Sequence, residues 1–145
     1  MSNLLYLPTS FSATADEVYC SPPSQKILQD AHARGIKTIV SMCGPLELRG
    51  EKELVSALGM QFHNFPIVSL ADLTETMARA FGELLNDTAA HPMFMHCISG
   101  NRVGALLAVK AFYLDSADIE QAIAVGRTAG LTAMEMDVRR WLMTR

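Results

Sequence analysis

Long hydrophobic runs, an excess of basic charge and an even set of cysteines are all missing from this sequence. The longest apolar stretch, around Val103 to Leu114, is interrupted by Lys110 and is too short to span a bilayer. Twelve Lys and Arg face fifteen Asp and Glu, for a net charge of −3, so nothing argues for a nucleic acid or an anionic membrane as partner. The three cysteines, at 20, 43 and 97, make neither a disulfide framework nor a zinc spacing, and they suit a reducing compartment. No repeat, low-complexity tract or linker divides the 145 residues, so we read 1–145 as one domain. A chain of this length buries roughly 70% of its unfolded surface and needs no disulfide or metal to fold. The start, MSNLLYLPTSFSATA, lacks the basic residues and longer apolar core of a secretory signal. Its first basic residue is Lys26, and Pro8 breaks the apolar patch. We read residues 1–16 as a structural arm and expect a cytoplasmic protein.

What is present is an alternation of short β-like and helical segments. Val18 to Ser21 reads as a strand ending at Pro22-Pro23. Ser24 can cap a helix through Arg34 that Gly35 closes. Lys37 to Met42, KTIVSM, is β-rich, and Gly50 to Leu58 is helical up to Gly59. Gln61 to Ile67 is a further strand candidate. Thr74 to Leu85 carries Met77, Phe81, Leu84 and Leu85 at helical spacing. Pro92 to His96 is a buried-strand run, and helices are expected over Arg102 to Leu114, Ser116 to Thr128 and Thr132 to Met143. The pattern implies an α/β fold: a central, mostly parallel sheet of four to five strands flanked by helices.

Ligands of open α/β sheets bind at the carboxyl ends of the strands. At one such end the strand MFMH runs into CISGNR and then into the helix VGALLAVKAFYL. A strand, a short glycine-containing loop and a helix N-terminus form an anion site from backbone N–H groups and the helix dipole. Cys97 opens this loop, so the same field favours its thiolate, which is the nucleophile. Arg102 closes the loop, and its planar fork can bind two oxyanion oxygens at once. Residues 98–103, namely Ile98, Ser99, Gly100, Asn101, Arg102 and Val103, would surround the anion. Gly100 permits close backbone approach. Asn101 can help set the turn, since Asn tolerates left-handed backbone. His96 can hydrogen-bond the loop or tune the thiolate. A buried structural cysteine after a strand is common. The combination of apolar strand, Cys97, Gly100, Arg102 and immediate helix is much harder to reach by chance.

The loop HCISGNR resembles the HCxxGxxR signature of the cysteine-dependent protein tyrosine and dual-specificity phosphatases. The stretches VYCSPPS, GIKTIVSMCGPLE, LGMQFHNFPI, MFMHCISGNRVGALLAV and AGLT, in that order, are similar to small bacterial phosphatase-like domains found beside or fused to β-lactamase-fold hydrolases. That resemblance implies cleavage of a phosphate monoester through a cysteinyl-phosphate. Cys97 would attack phosphorus, and Arg102 and the loop amides would hold the equatorial oxygens. A carboxylic acid would protonate the leaving group. Asp72, in PIVSLADLT, lies about where these phosphatases carry their acid, and it serves equally well as a cap for the helix that follows. Two departures stand out. Four residues, not the usual five, separate Cys97 from Arg102. Val103 replaces the Ser or Thr whose hydroxyl normally stabilises the departing thiolate.

The shorter loop also resembles that of the rhodanese sulfurtransferases, often CRxGxR. There Cys97 would carry a persulfide and Asp72 would have no part. A non-catalytic oxyanion-binding domain is the third reading. The implied partner is a phosphorylated protein or small molecule. No metal or organic cofactor is implied, and oligomeric state is left open. Cys43 follows a parallel strand and can be a redox partner of Cys97 or a buried thiol without one. Cys20 has no evident role. Glu47 and Arg49 can line the pocket or form a solvated pair. His63 and His91 lack metal-like spacing and read as surface or loop residues. Arg139 and Arg140 read as a helix surface, with Trp141 on its packed side.

Overall fold

Period-two alternation in the short strands decides which helices cover which face of the sheet. A computed structural model describes residues 4–7, by backbone alone, and residues 16–145. The strands are β1 (Leu4–Leu7), β2 (Asp16–Tyr19), β3 (Thr38–Ser41), β4 (Gln61–Asn64) and β5 (Met93–His96). Their order across the sheet is β1-β2-β5-β3-β4. The four strands from β2 to β4 are mutually parallel, and β1 runs antiparallel to β2 with Leu4 opposite Tyr19. The sheet is thus mostly parallel. Leu4–Leu7 is an edge strand rather than an unpaired arm, because an apolar run of four satisfies its backbone on the open edge of β2. The rest of 1–15 lies outside the described residues.

The helices are α1 (Gln25–Ala33), α2 (Glu51–Ala57), α3 (Glu75–Leu85), α4 (Asn101–Leu114), α5 (Ile119–Thr128) and α6 (Glu135–Met143). Side-chain caps start several of them. The Ile27 amide donates to Ser24 Oγ at 3.2 Å, and the Met77 amide donates to Thr74 Oγ1 at 3.1 Å. Asp118 and Gln121 form a reciprocal capping box at α5.

On β3, Ile39 faces α1 and α2, where it joins Leu28, Ala31, Val55 and Phe94 in one apolar cluster. Its neighbours Val40 and Met42 face the other way, into a larger cluster with Phe81, Met93, Met95 and Leu106. That second cluster takes in α3 to α6. The sheet is therefore covered on both faces, as parallel sheets require. Because β2, β5, β3 and β4 point the same way, the segments after them gather at one end. Tyr19, His96 and Ser41 lie side by side across β2, β5 and β3, so Cys20, Cys97 and Met42 are the next residues out. The candidate site residues come from this end.

Candidate active site

Cys97 sits at the first position beyond β5 and is fully buried. Its Sγ accepts the Gly100 N–H at 3.0 Å, so the loop curls back over the sulfur with an amide pointing at it. Gly100 makes that curl possible. It is the N-cap of α4 with φ of +88°, a region that side chains disfavour. The left-handed residue of the loop is thus Gly100, whereas Asn101 is already helical. Asn101 sets the loop in another way. Its Oδ1 accepts from the backbone amides of Thr132 at 2.8 Å and Met134 at 3.1 Å, which ties the α5–α6 connection to the start of α4. Its Nδ2 donates to Ser99 Oγ at 3.2 Å. Ile98 and Ser99 are exposed, while Val103 is fully buried and offers the loop no hydroxyl.

Arg102 projects from the first turn of α4 and pairs with Glu47 in a fork. Nη1 donates to Oε1 at 2.6 Å and Nη2 to Oε2 at 3.1 Å. The same Oε1 accepts the Gly44 N–H at 2.7 Å. The Arg102 fork and the Gly44 amide together hold the Glu47 carboxyl below its ordinary value. Glu47 in turn raises Arg102, which stays charged. Glu47 therefore belongs with Arg102 and is not half of a solvated pair with Arg49. A guanidinium carries five N–H donors, so this fork leaves others for a ligand. The loop holding Glu47 is itself braced. Asn64, at the end of β4, donates through Nδ2 to the carbonyls of Ser41 at 2.9 Å and Cys43 at 3.0 Å.

A cavity of about 480 Å³ opens beside the pair, lined by Gly44, Pro45, Leu46, Glu47, Val68 and Arg102. Its walls are mostly apolar, and Leu46 and Val68 are exposed. Val68 belongs to the segment that carries Asp72. The Asp72 Oδ2 accepts the amides of Val68 at 2.8 Å and Ser69 at 3.2 Å, so this carboxylate caps the short turn Leu70–Asp72. The next helix, α3, is capped by Thr74 instead. The segment is tied at both ends. The Ile67 amide donates to the Met42 carbonyl at 3.1 Å, and Trp141 Nε1 donates to the Leu73 carbonyl at 2.9 Å.

Behind the loop, His96 is buried, and its Nε2 lies 2.5 Å from Oε2 of Glu51. Burial acts to lower its pKa, but hydrogen bonds with Cys43 and Glu51 and the Glu51 charge outweigh it and push it up to about 9. His96 is therefore an imidazolium at neutral pH. Cys43 is buried against it, with its amide donating to Ser41 Oγ at 3.1 Å. Cys20 lies on the other side of the loop. A Cβ at Gly100 would stand 2.9 Å from Cys20 Sγ. Burial, and then the nearby Cys97, push the Cys20 thiol up.

Glu51 and Cys20 are site neighbours that the sequence did not single out, and Glu47, which it offered as a pocket-lining residue, it did not pair with Arg102. Two of them pair across 55 and 45 residues, and no local pattern marks such pairs. Of the two histidines that the sequence reads as surface or loop residues, His63 lies half-buried on edge strand β4. His91 is buried, not a surface residue. Its Nδ1 meets Asp16 at 2.9 Å and its Nε2 the Leu85 carbonyl at 2.7 Å, at the end of the sheet away from Cys97.

No protein-family model matches the chain, and no curated protein does. Solved structures do match it. The kinase associated phosphatase, with serine in place of its catalytic-site cysteine, aligns at a TM-score of 0.67 and 20% identity, over 96% of this chain and 90% of that one. A DUF442 protein of Shewanella putrefaciens, provisionally named a phosphatase, aligns at 0.63 and 12%, over 99% and 88%. TpbA of P. aeruginosa, in a cysteine-to-serine form with phosphotyrosine, aligns at 0.56 and 16%, over 88% and 76%. The chain described by these strands and helices has the fold of the protein tyrosine and dual-specificity phosphatases.

Proposed function

We propose that this protein is a cysteine-dependent phosphatase that cleaves a phosphate monoester through a cysteinyl-phosphate on Cys97. The observation that carries the reading is the loop itself. Cys97 Sγ lies under the Gly100 amide, at the N-terminus of α4, with Arg102 in the first turn of that helix. In the reaction we infer, the Cys97 thiolate attacks phosphorus. Loop amides and Arg102 hold the equatorial oxygens, and charge stabilisation of this kind supplies most of the catalysis in phosphoryl transfer. Asp72 protonates the departing oxygen, and water then releases phosphate. The apolar walls formed by Pro45, Leu46 and Val68 beside Arg102 suit an ester whose leaving group is an apolar ring, as in a phosphotyrosine side chain.

One observation keeps a second reading alive. The Asp72 Oδ2 is engaged by two amides of its own turn. A persulfide-carrying Cys97 needs no acid. The test is hydrolysis of p-nitrophenyl phosphate and phenyl phosphate under reducing conditions, by the wild type, Cys97→Ser and Asp72→Asn. The phosphatase reading expects no turnover by Cys97→Ser. It expects Asp72→Asn to slow phenyl phosphate by roughly 10²-fold or more, as for loss of a general acid, and p-nitrophenyl phosphate far less. Absent turnover by folded wild type, with persulfide formed on Cys97 from thiosulfate, would establish the sulfur reading instead.

A further inference from the structure

Glu51 is a carboxylate in an unusual place. Acidic residues in the first turn of a helix are favoured by the dipole and normally stay in water. Glu53 in the same turn is exposed. Glu51 is instead 7% exposed and bonds His96, itself 1% exposed. A buried ion pair is poor evidence of stabilisation, because apolar residues of similar volume serve as well or better. Its presence asks for another reason.

The orientation of the ring supplies one. His96 Nε2 faces Glu51 at 2.5 Å, while Nδ1 faces the Cys97 carbonyl at 3.4 Å. The imidazolium stands between the carboxylate and the residue that carries the nucleophile. The nearer charge, as Cys97 meets it, is the positive one. A small cavity of about 120 Å³ adjoins the pair, lined among others by Cys43, Glu47, Arg49, Glu51 and His96. The titratable and charged groups around His96 are thus Glu51 from α2, and Cys43, Glu47 and Arg49 from the segment after β3. Among the described residues no group of three His, Cys, Asp or Glu side chains is arranged to hold a metal ion.

Resting on the phosphatase reading above, we propose that Glu51 is a positioning residue that keeps His96 cationic and oriented beneath Cys97, so that the floor of the loop carries positive charge for the thiolate. Glu51 touches neither substrate nor sulfur and acts only through His96. Burial alone would strip the ring of its proton, and the hydrogen bonds with Cys43 and with Glu51, together with the Glu51 charge, reverse that.

The test has two readouts, and neither needs turnover. The first is the ¹⁵N NMR titration of the His96 ring in the wild type and in Glu51→Gln, which keeps length and an acceptor but loses charge. The second is the rate at which iodoacetamide alkylates Cys97 at pH 6, mapped by mass spectrometry, in the same two proteins. We expect an imidazolium through pH 8 in the wild type and a neutral ring by pH 7 in Glu51→Gln. We expect Cys97 alkylation to slow by roughly tenfold in Glu51→Gln, because the thiolate is the form that reacts. A neutral His96 at pH 7 in the wild type would overturn the proposal without any variant having to fold. So would equal Cys97 reactivity in a folded Glu51→Gln, since a merely structural pair would leave it unmoved. Absent phosphatase turnover would count against the phosphatase reading and leave both readouts standing.

Discussion

Gly100 meets two demands at once: a left-handed backbone at φ +88° and no room for a Cβ beside Cys20. Gly100→Ala should therefore lose about 1–2 kcal/mol to backbone conformation. Overlap should add about 1–3 kcal/mol. Cys20→Ala in the same chain should recover the second part and leave the first. Urea unfolding of both single variants and the double variant reads this directly, and strictly additive losses would refute the contact. Glu47 poses a different question, because its fork both orients Arg102 and occupies it. We expect orientation to dominate. Glu47→Ala should raise KM for p-nitrophenyl phosphate by roughly tenfold, a difference of about 1.4 kcal/mol. Its stability should move by less than about 1 kcal/mol, since the pair is partly solvated. A lower KM would mean that Glu47 competes with the substrate. Cys97, Gly100 and Arg102 were legible in the sequence because six consecutive residues and a following helix carry their chemistry. Glu51, Cys20 and the pairing of Glu47 with Arg102 were not, because only the parallel register of β2, β5 and β3 brings their loops together.

Among the elements, the α5–α6 connection matters most to the loop. Gly130 packs against Gly100, where even a Cβ would come within 3.4 Å of its carbonyl oxygen. Asn101 accepts from the Thr132 and Met134 amides. Asn101→Ala would leave both amides without that acceptor, at a cost of about 1–3 kcal/mol for each group kept from water. Amide exchange at Thr132 and Met134 should quicken well beyond exchange in the middle of α4. Unchanged exchange there would show that Asn101 does not brace the connection. The helices themselves were readable from caps and apolar spacing, as Ser24 and Thr74 show. The strand candidate running to Ile67 stops at Asn64, where that side chain turns to clamp the loop after β3. The turn Leu70–Asp72 carries no periodicity and could not be read. Leu4–Leu7 was missed as a strand, since an isolated run of four has no pattern until β2 lies beside it.

Across the whole molecule, the buried His96–Glu51 pair makes stability depend on pH. The folded-state pKa of His96, about 9, lies above its ordinary 6.5. The folded form thus holds its proton more tightly, and the pair's stabilisation is complete below pH 6.5 and is lost as pH rises through about 9. Urea unfolding of the wild type should show a decline across that window that is smaller in Glu51→Gln, which keeps the Cys43 contribution alone, and parallel curves would contradict it. A sheet with helices on both faces places this pair, the Arg102 fork and the cavity that Val68 lines at the end of the sheet that carries the Cys97 sulfur. Its identity as a nucleophile is the central claim. The departure at Val103 makes it open to direct test, because without a hydroxyl to assist the leaving thiolate a phosphocysteine should break down slowly. The decisive measurement is mass spectrometry of the Cys97 peptide after rapid acid quench of the protein turning over p-nitrophenyl phosphate. We predict one phosphoryl group on Cys97, absent in Cys97→Ser. Release of p-nitrophenol with Cys97 unmodified at every quench time would contradict the account.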